Sequence, residues 1–290
     1  MTLPPLFTFI FGTTASGKSA LAYQLTKKWH GNVLSYDSRH VYKYMDIVPG
    51  KDKPGADFSQ VLYGQDLVLP DQDFSIRHYY EYARSIITDH RQRQQPLILV
   101  GGSWLYAQVL LDPPSSLFIP QDLMLRQRLS SLDVHDLQII LRDTDQPSFE
   151  RLNASDKKNP RRLVRAIEVA LAASTFPKPK PLIQSDEYTL QITPYSLAKI
   201  EKNIKTRIEQ RLELGALDET RFLRKSYPHW NTPAFSATGY GPLRQYLEKE
   251  ISLSEAKRLW LIQERDYAKR QITWIHHLQG DATQGESRAQ

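Results

Sequence analysis

Apolar residues follow two rhythms along this chain. From Leu6 to Phe11 they run almost unbroken, rich in β-branched and aromatic side chains and stopped by Gly12, which predicts a buried strand. From about Lys18 the spacing lengthens, and Leu21, Leu25 and Trp29 stand four apart as the inner stripe of a helix. Asn32 to Tyr36 predicts a second strand ending at Asp37. Ser75 to His90 predicts a helix, and Pro96 to Val100 a third strand ending at Gly101 and Gly102. Strands that alternate with helices predict a parallel sheet.

The pattern changes near Asp112, where DPPSS leads into short helical repeats as far as about Asn159, punctuated by Pro120, Pro147 and Pro160. We read 115–159 as a small all-helical insertion in a core made of 1–114 and 160–279. A helix from Arg161 to Ala173 precedes FPKPKPL, Phe176 to Leu182, a stiff connector of Pro and Lys. Tyr188 to Thr193 alternates as one more strand. In the mainly helical last third, Ser252 and Glu255 form a capping-box pattern opening a helix that should continue to Leu278 and stop at Gly280. Arg258, Arg265 and Lys269 share one face of it. The polar tail, 280–290, is expected to be disordered.

Composition adds modest constraints. The 290 residues are 40% apolar, enough for a sizeable core. Lys and Arg outnumber Asp and Glu by 38 to 32, a net charge of +6 that favours a polyanionic partner and equally suits an ordinary basic surface. Without cysteine there are no disulfides and no Cys-containing zinc sites. The apolar run at Leu6 is too short for a signal-peptide core, and none approaches the ~20 residues of a membrane span. The expectation is a cytoplasmic protein, by default a monomer.

The sharpest local signal is Gly12-Thr13-Thr14-Ala15-Ser16-Gly17-Lys18-Ser19, a phosphate-loop pattern placed between a strand and a helix as it must be. Its backbone N–H groups, the helix N-terminus and Lys18 cradle two linked phosphates, and Ser19 can ligate Mg²⁺. The fold expected is therefore α/β, a P-loop NTPase-like parallel sheet flanked by helices. The loop reads phosphate and leaves the base unread. The apolar strand PLILV ends in GGSWLY rather than in the metal-holding Asp of an NTPase, and Asp37 alone stands at a strand end on the ligand side.

GTTASGKS, then SYDSRHVYKYMDI from Ser35, GGSWLY from Gly101, NPRRLVRAIEV from Asn159, Gly239-Tyr240 and AKRQITW from Ala268 occur in the order and spacing of the tRNA dimethylallyltransferases, also called tRNA isopentenyltransferases, and the chain resembles that family to about residue 278. The resemblance implies transfer of a prenyl group from dimethylallyl diphosphate to N6 of the adenosine 3′ of the anticodon in tRNA, with the loop holding the pyrophosphate that leaves. Lys18 and Mg²⁺ would stabilise charge on that leaving group, and a carboxylate would take the proton of the attacking amine. By its match to the family's DS motif, Asp37 is the candidate base. Ser103 keeps the hydroxyl of the family's GGT block.

By the same resemblance tRNA contacts are implied for Asp37, Ser38, Arg39, His40 and Ser103, for Arg161, Arg162 and Arg165, for Tyr240, and for Lys269, Arg270 and Trp274; Trp274 could equally pack in the core. The chain departs from the family in several places. His40 stands where a Gln usually reads the target base. Leu62 to Asp66 replaces a block with paired histidines. Ser236 and Gly241 stand where two arginines are expected near the diphosphate, so that Arg265 or Arg244 would have to supply the charge. Two other functions fit these residues: an RNA-binding homologue with weakened catalysis, and a small-molecule kinase using the loop with ATP.

Overall fold

The computed structural model describes residues 4–51, 59–172, 175–176 and 178–286. The chain divides into two compact units, Met1–Leu111 with Leu182–Gln290, and Asp112–Pro181.

The larger unit is built on a five-stranded, wholly parallel sheet. In chain order its N-terminal part runs β1 (Phe7–Phe11), α1 (Lys18–Trp29), β2 (Asn32–Ser35), β3 (Leu62–Tyr63), α2 (Ile76–Arg93), β4 (Leu97–Val100) and α3 (Trp104–Leu111). The smaller unit supplies α4 (Leu123–Leu129), α5 (Val134–Arg151), α6 (Ala154–Lys157) and α7 (Pro160–Ala172). The chain then returns to the larger unit as β5 (Tyr188–Ile192), α8 (Leu197–Glu213), α9 (Ala216–Ser226), a 3-10 turn at Pro233–Ser236, α10 (Tyr240–Leu247) and α11 (Leu253–Glu286).

The strand order is β3-β2-β4-β1-β5, with Leu34 opposite Leu99, Ile10 opposite Val100 and Phe9 opposite Leu190. Period-two alternation in β1 separates two layers. Ile10 joins Ala22, Val33, Ile98 and Val100 beneath α1, where Leu21, Leu25 and Trp29 complete the predicted stripe. Phe9 and Phe11 point the other way, to Tyr36, Tyr188 and Trp104 at ring distances of 5.3 to 6.1 Å. The sheet covers one aliphatic layer and one aromatic layer. Because every strand is parallel, the loops after β1, β2, β4 and β5 emerge on the same carboxyl edge, where α/β sheets place their ligands.

The smaller unit is a helical cluster around Leu125, Leu129, Leu137, Leu141, Phe149, Leu163 and Ile167. Its boundary differs from the expected one. The helix from Pro160, assigned to the core by sequence, buries Leu163 and Ile167 among α4 and α5, so the unit extends to Pro181. α5 breaks at Asp145, whose φ of −153° and ψ of 80° are not helical. Asp145 accepts the Ser148 N–H at 3.0 Å and so caps a second segment that starts at Gln146, with Pro147 in its first turn.

Two other ends shift. β3, a two-residue strand beside β2, was not predicted. α11 begins as expected, with Ser252 Oγ accepting the Glu255 N–H at 3.1 Å, but passes Gly280 and runs to Glu286. The tail expected to be disordered is thus helical through Glu286, and 287–290 lie outside the described residues. Among the described residues no helix is long and apolar enough to cross a membrane.

Candidate active site

The phosphate loop turns from β1 into α1 through Ala15 at φ +60° and Gly17 at φ +84°, a left-handed pair that turns successive N–H groups inward. The first turn of α1 carries no acidic residue, leaving its positive end for an anion. Gly12 is required by close approach, since a Cβ there would stand 1.9 Å from Thr193 Oγ1. Thr193, just after β5, donates its hydroxyl to Ser16 Oγ at 2.8 Å and braces the loop from the side. Lys18 Nζ donates to the Thr13 carbonyl at 3.0 Å, and Thr13 Oγ1 is buried without a hydrogen-bond partner among the described residues.

Helices distant in sequence close the other side. Asn203 Nδ2 donates to the Ala15 carbonyl at 3.0 Å and Arg207 Nη1 to Thr14 Oγ1 at 3.3 Å. Thr14 in turn donates its N–H to Gln271 Oε1 at 2.7 Å and its hydroxyl to Glu264 Oε2 at 3.0 Å. The buried Glu264 also accepts from Arg211 at 3.1 Å. Arg207 therefore stands beside the loop where positive charge was expected of Arg265 or Arg244, while Arg211 is paired with Glu264. Arg265 lies on the exposed side of α11, where its charge acts on Glu201. Arg244 sits over the Trp230 ring and near Glu248. Sequence reasoning passed over Arg207 and Arg211, although their four-residue spacing beside Ile204 and Ile208 marks one half-buried helix face.

Asp37 follows β2. Its Oδ1 accepts the Arg39 N–H at 3.0 Å, and its carbonyl accepts the His40 N–H at 3.2 Å, so the DSRH turn is fixed by the aspartate itself. Burial presses the carboxyl upward, yet His40, the Arg39 N–H, Lys18 and the Arg39 charge together outweigh it and hold Asp37 below the usual carboxylate range. Ser103, after β4, accepts the Ser38 N–H at 3.0 Å and donates to Ser38 Oγ at 3.0 Å, joining the two strand-end loops. Between them Gly102 has no room for a side chain: a Cβ would meet Gln271 Nε2 at 2.5 Å, Tyr267 Oη at 2.8 Å and Asp37 Oδ2 at 3.2 Å.

Two buried phenols, Tyr36 and Tyr79, and the half-buried Tyr267 stand near the carboxylate. Burial first, and then neighbouring phenols or the Asp37 charge, raise the Tyr36, Tyr79 and Tyr267 hydroxyls, which stay protonated beside it. The ionised carboxylate and the phosphate cradle both stand at the carboxyl edge of the sheet, after β2 and β1.

The remaining expected contacts fall into two groups. Lys269 and Arg270 are exposed on α11, and Trp274, 43% exposed, stacks on Trp104 at 5.6 Å. In the smaller unit Arg161 is exposed, Arg162 pairs with Asp156, and Arg165 is spent on Glu168 and the Ser116 and Ile119 carbonyls. Tyr240 does not face a ligand. It is fully buried and donates its hydroxyl to Glu219 Oε1 at 2.7 Å, and Glu219 also accepts the N–H groups of Asp46, Ile47 and Val48. Its expected contact with tRNA is corrected to an anchor of the 46–48 loop.

Comparison with known proteins gives a consistent picture. The family model described as IPP transferase matches residues 40–278. The tRNA dimethylallyltransferase of Sulfurihydrogenibium sp. is 34% identical over 91% of this chain and 86% of its own. The crystal structure of the full-length tRNA isopentenylpyrophosphate transferase of Bacillus halodurans superposes with a TM-score of 0.65 at 27% identity, covering 94% of this chain and 87% of that one. A eukaryotic dimethylallyltransferase acting on tRNA shares the fold, with a TM-score of 0.79 at 23% identity over 93% of this chain and 69% of its own.

Proposed function

The chain belongs to the IPP transferase family, and from that premise we propose that it transfers a dimethylallyl group from dimethylallyl diphosphate to N6 of the adenosine 3′ of the anticodon in tRNA, releasing pyrophosphate. The observation that carries the reading is the placing of Asp37 against Gly102 and Ser103 on the same sheet edge as the phosphate loop. A general base and an anion cradle then share the carboxyl edge of one sheet.

In this reading the loop N–H groups and Lys18 grip the diphosphate, and Arg207 adds charge from α8. As the allylic C–O bond lengthens, electrons pass to the diphosphate and positive charge grows on the five-carbon group. The adenosine amine attacks that carbon, and its proton passes to Asp37. Ser103 keeps the loop that bears Asp37 in register with β4. The Ser19 hydroxyl in α1 and the Thr13 hydroxyl in the loop, which has no partner among the described residues, are oxygens of the hard type that suits Mg²⁺. When bound, the ion supplies charge neutralisation for the leaving diphosphate. The exposed Lys269, Arg270 and Arg161 suit tRNA phosphates, and the protein would act on tRNA as a monomer in the cytoplasm.

Incubation with Mg²⁺, labelled dimethylallyl diphosphate and unmodified tRNA reading codons that begin with U should place label on adenosine. Salt-sensitive tRNA binding without any transfer would sink the reading in favour of an RNA-binding homologue.

A further inference from the structure

We propose that the exposed rings of Tyr44 and Phe222 form a stacking platform for an unpaired base of the tRNA whose adenosine meets Asp37. The inference rests on the tRNA reading and adds a contact to those already named. Tyr44 is 51% exposed, Phe222 on α9 is 48% exposed, and their rings meet edge to face at 5.7 Å. About half of each side chain stays in water, where burial would be favourable. Tyr44 also has φ +64°, a left-handed conformation that glycine adopts freely and an aromatic residue rarely does. The chain is held there from both sides. Tyr42 and Met45 are buried, the Lys43 N–H donates to the Val68 carbonyl at 2.8 Å, and Glu219 takes the N–H groups of Asp46, Ile47 and Val48. The anchored loop sets the Tyr44 ring against the helix that carries Glu219, one turn on at Phe222. A strained backbone that keeps an aromatic side chain in solvent points to a use for the ring.

Its place favours RNA as the occupant. Tyr44 follows Asp37 closely in the chain and lies at most about 25 Å from that base. Aromatic side chains bridge the interval. Arg39, in the turn after Asp37, donates Nη1 to the Pro233 carbonyl at 2.6 Å; Phe235 stacks on Trp230 at 4.5 Å and stands 6.5 Å from the Tyr227 ring, and Tyr227 is close enough to Tyr44 to sense its phenol. The charge around the pair is mixed. Arg221 and Arg224 are paired with Asp218 and Glu248, and Asp71 is an exposed acid near Tyr227. Lys43, beside Tyr44, and Lys225, one turn beyond Phe222, are exposed and have no ion-pair partner among the described residues. Aromatic faces beside available cations hold an unstacked base and its phosphate together.

The test is binding of an unmodified tRNA transcript to the full chain at four or more salt concentrations, for wild type, Tyr44→Gly and Phe222→Ala, with melting temperature and sedimentation measured on each. Each variant should bind at least fivefold more weakly, the lower end of what one stacked base contributes, with an unchanged slope against log salt, since stacking releases no counterion. Tyr44→Gly should melt no lower than wild type, because glycine relieves the left-handed residue. A loss smaller than fivefold in the folded variants, or a loss that comes with a flatter salt slope, overturns the platform and leaves the tRNA reading standing. Wild-type self-association that the substitutions abolish without weakening tRNA binding assigns the surface to a second copy of the chain and also overturns it. Wild type that binds no tRNA overturns the tRNA reading, and this inference with it. Should Tyr44→Gly fail to fold, Tyr44→Asn, which also tolerates the left-handed region, decides by the same ratio.

Discussion

Gln271 Oε1 accepts the Thr14 N–H at 2.7 Å while its Nε2 donates to the Gly102 carbonyl at 3.1 Å, so one amide ties the phosphate loop to the loop after β4. These two loops carry the anion cradle and the Ser103 side of the base, and their spacing is what a transfer reaction must hold constant. Gln271→Leu leaves a buried N–H and C=O without partners, at a cost of about 1–3 kcal/mol each. We expect a lower melting temperature and a prenyl-transfer rate reduced by more than tenfold. Full turnover in a correctly folded variant would show that the tie is dispensable.

Asp37→Asn keeps the turn geometry and removes the proton acceptor. Transfer should fall by about 10²–10⁴ while tRNA binding stays within a few fold. Because the folded carboxyl lies below the ordinary aspartate range, Asp37 is ionised throughout the neutral range, so the rate should show no acid limb above about pH 4 from this group. The linkage has the same sign. A depressed carboxyl stabilises the fold above its unfolded pKa and loses that contribution as pH falls through the folded value. Urea melts of Asp37→Asn against wild type should therefore draw together as pH falls from the unfolded value and coincide only below the folded one.

Gly12→Ala should disable the loop. The added methyl would stand 1.9 Å from Thr193 Oγ1 and 2.6 Å from Ser16 Oγ, inside the brace itself. Loss of pyrophosphate binding by calorimetry is the expected outcome. Thr193→Ala in the same chain should recover part of it by making room, and failure to recover any would point to the backbone rather than to this clash.

Much of this site was legible in the sequence, and the reason is physical. β1, β2 and β4 are buried on both faces, so their central residues, Phe9 and Ile10, Val33 and Leu34, Ile98 and Leu99, are apolar, and each strand is followed within three residues by Gly12, Asp37 or Ser103. β3 escaped because two residues carry no periodicity. The closure of the cradle escaped because it is built from pairs remote in sequence: Thr14 meets Gln271 and Glu264, and Ala15 meets Asn203. Gln271 lay inside a recognised block whose cations drew attention to its exposed face. Tyr240 lay in another block, and its spacing could not distinguish a ligand contact from the buried anchor it forms with Glu219.

Tyr240→Phe separates those two roles. Removing the hydroxyl leaves Glu219 with the three N–H groups of Asp46, Ile47 and Val48 and one partner fewer. The expected loss is about 1–2 kcal/mol of stability in a denaturant titration. tRNA affinity should be unchanged, because the ring has no exposed surface. A fall in affinity without a fall in stability would restore Tyr240 to the RNA contacts.

Lys269 and Arg270 are exposed on α11 and leave their charge to solvent apart from a 3.5 Å contact between Lys269 and Asp266 and the stacking of Arg270 over Tyr267. If both bind phosphate, each contact releases a counterion, so the double substitution by Ala should lower the slope of log affinity against log salt by about 1.4–1.8, the sum of two contacts at about 0.7–0.9 each. The measurement is tRNA binding at four or more salt concentrations. Stability should barely change, since exposed ion pairs of this kind contribute at most about 1 kcal/mol. A weaker affinity with an unchanged slope would mean that these residues act on the shape of α11 beside Trp274 and not on the RNA backbone.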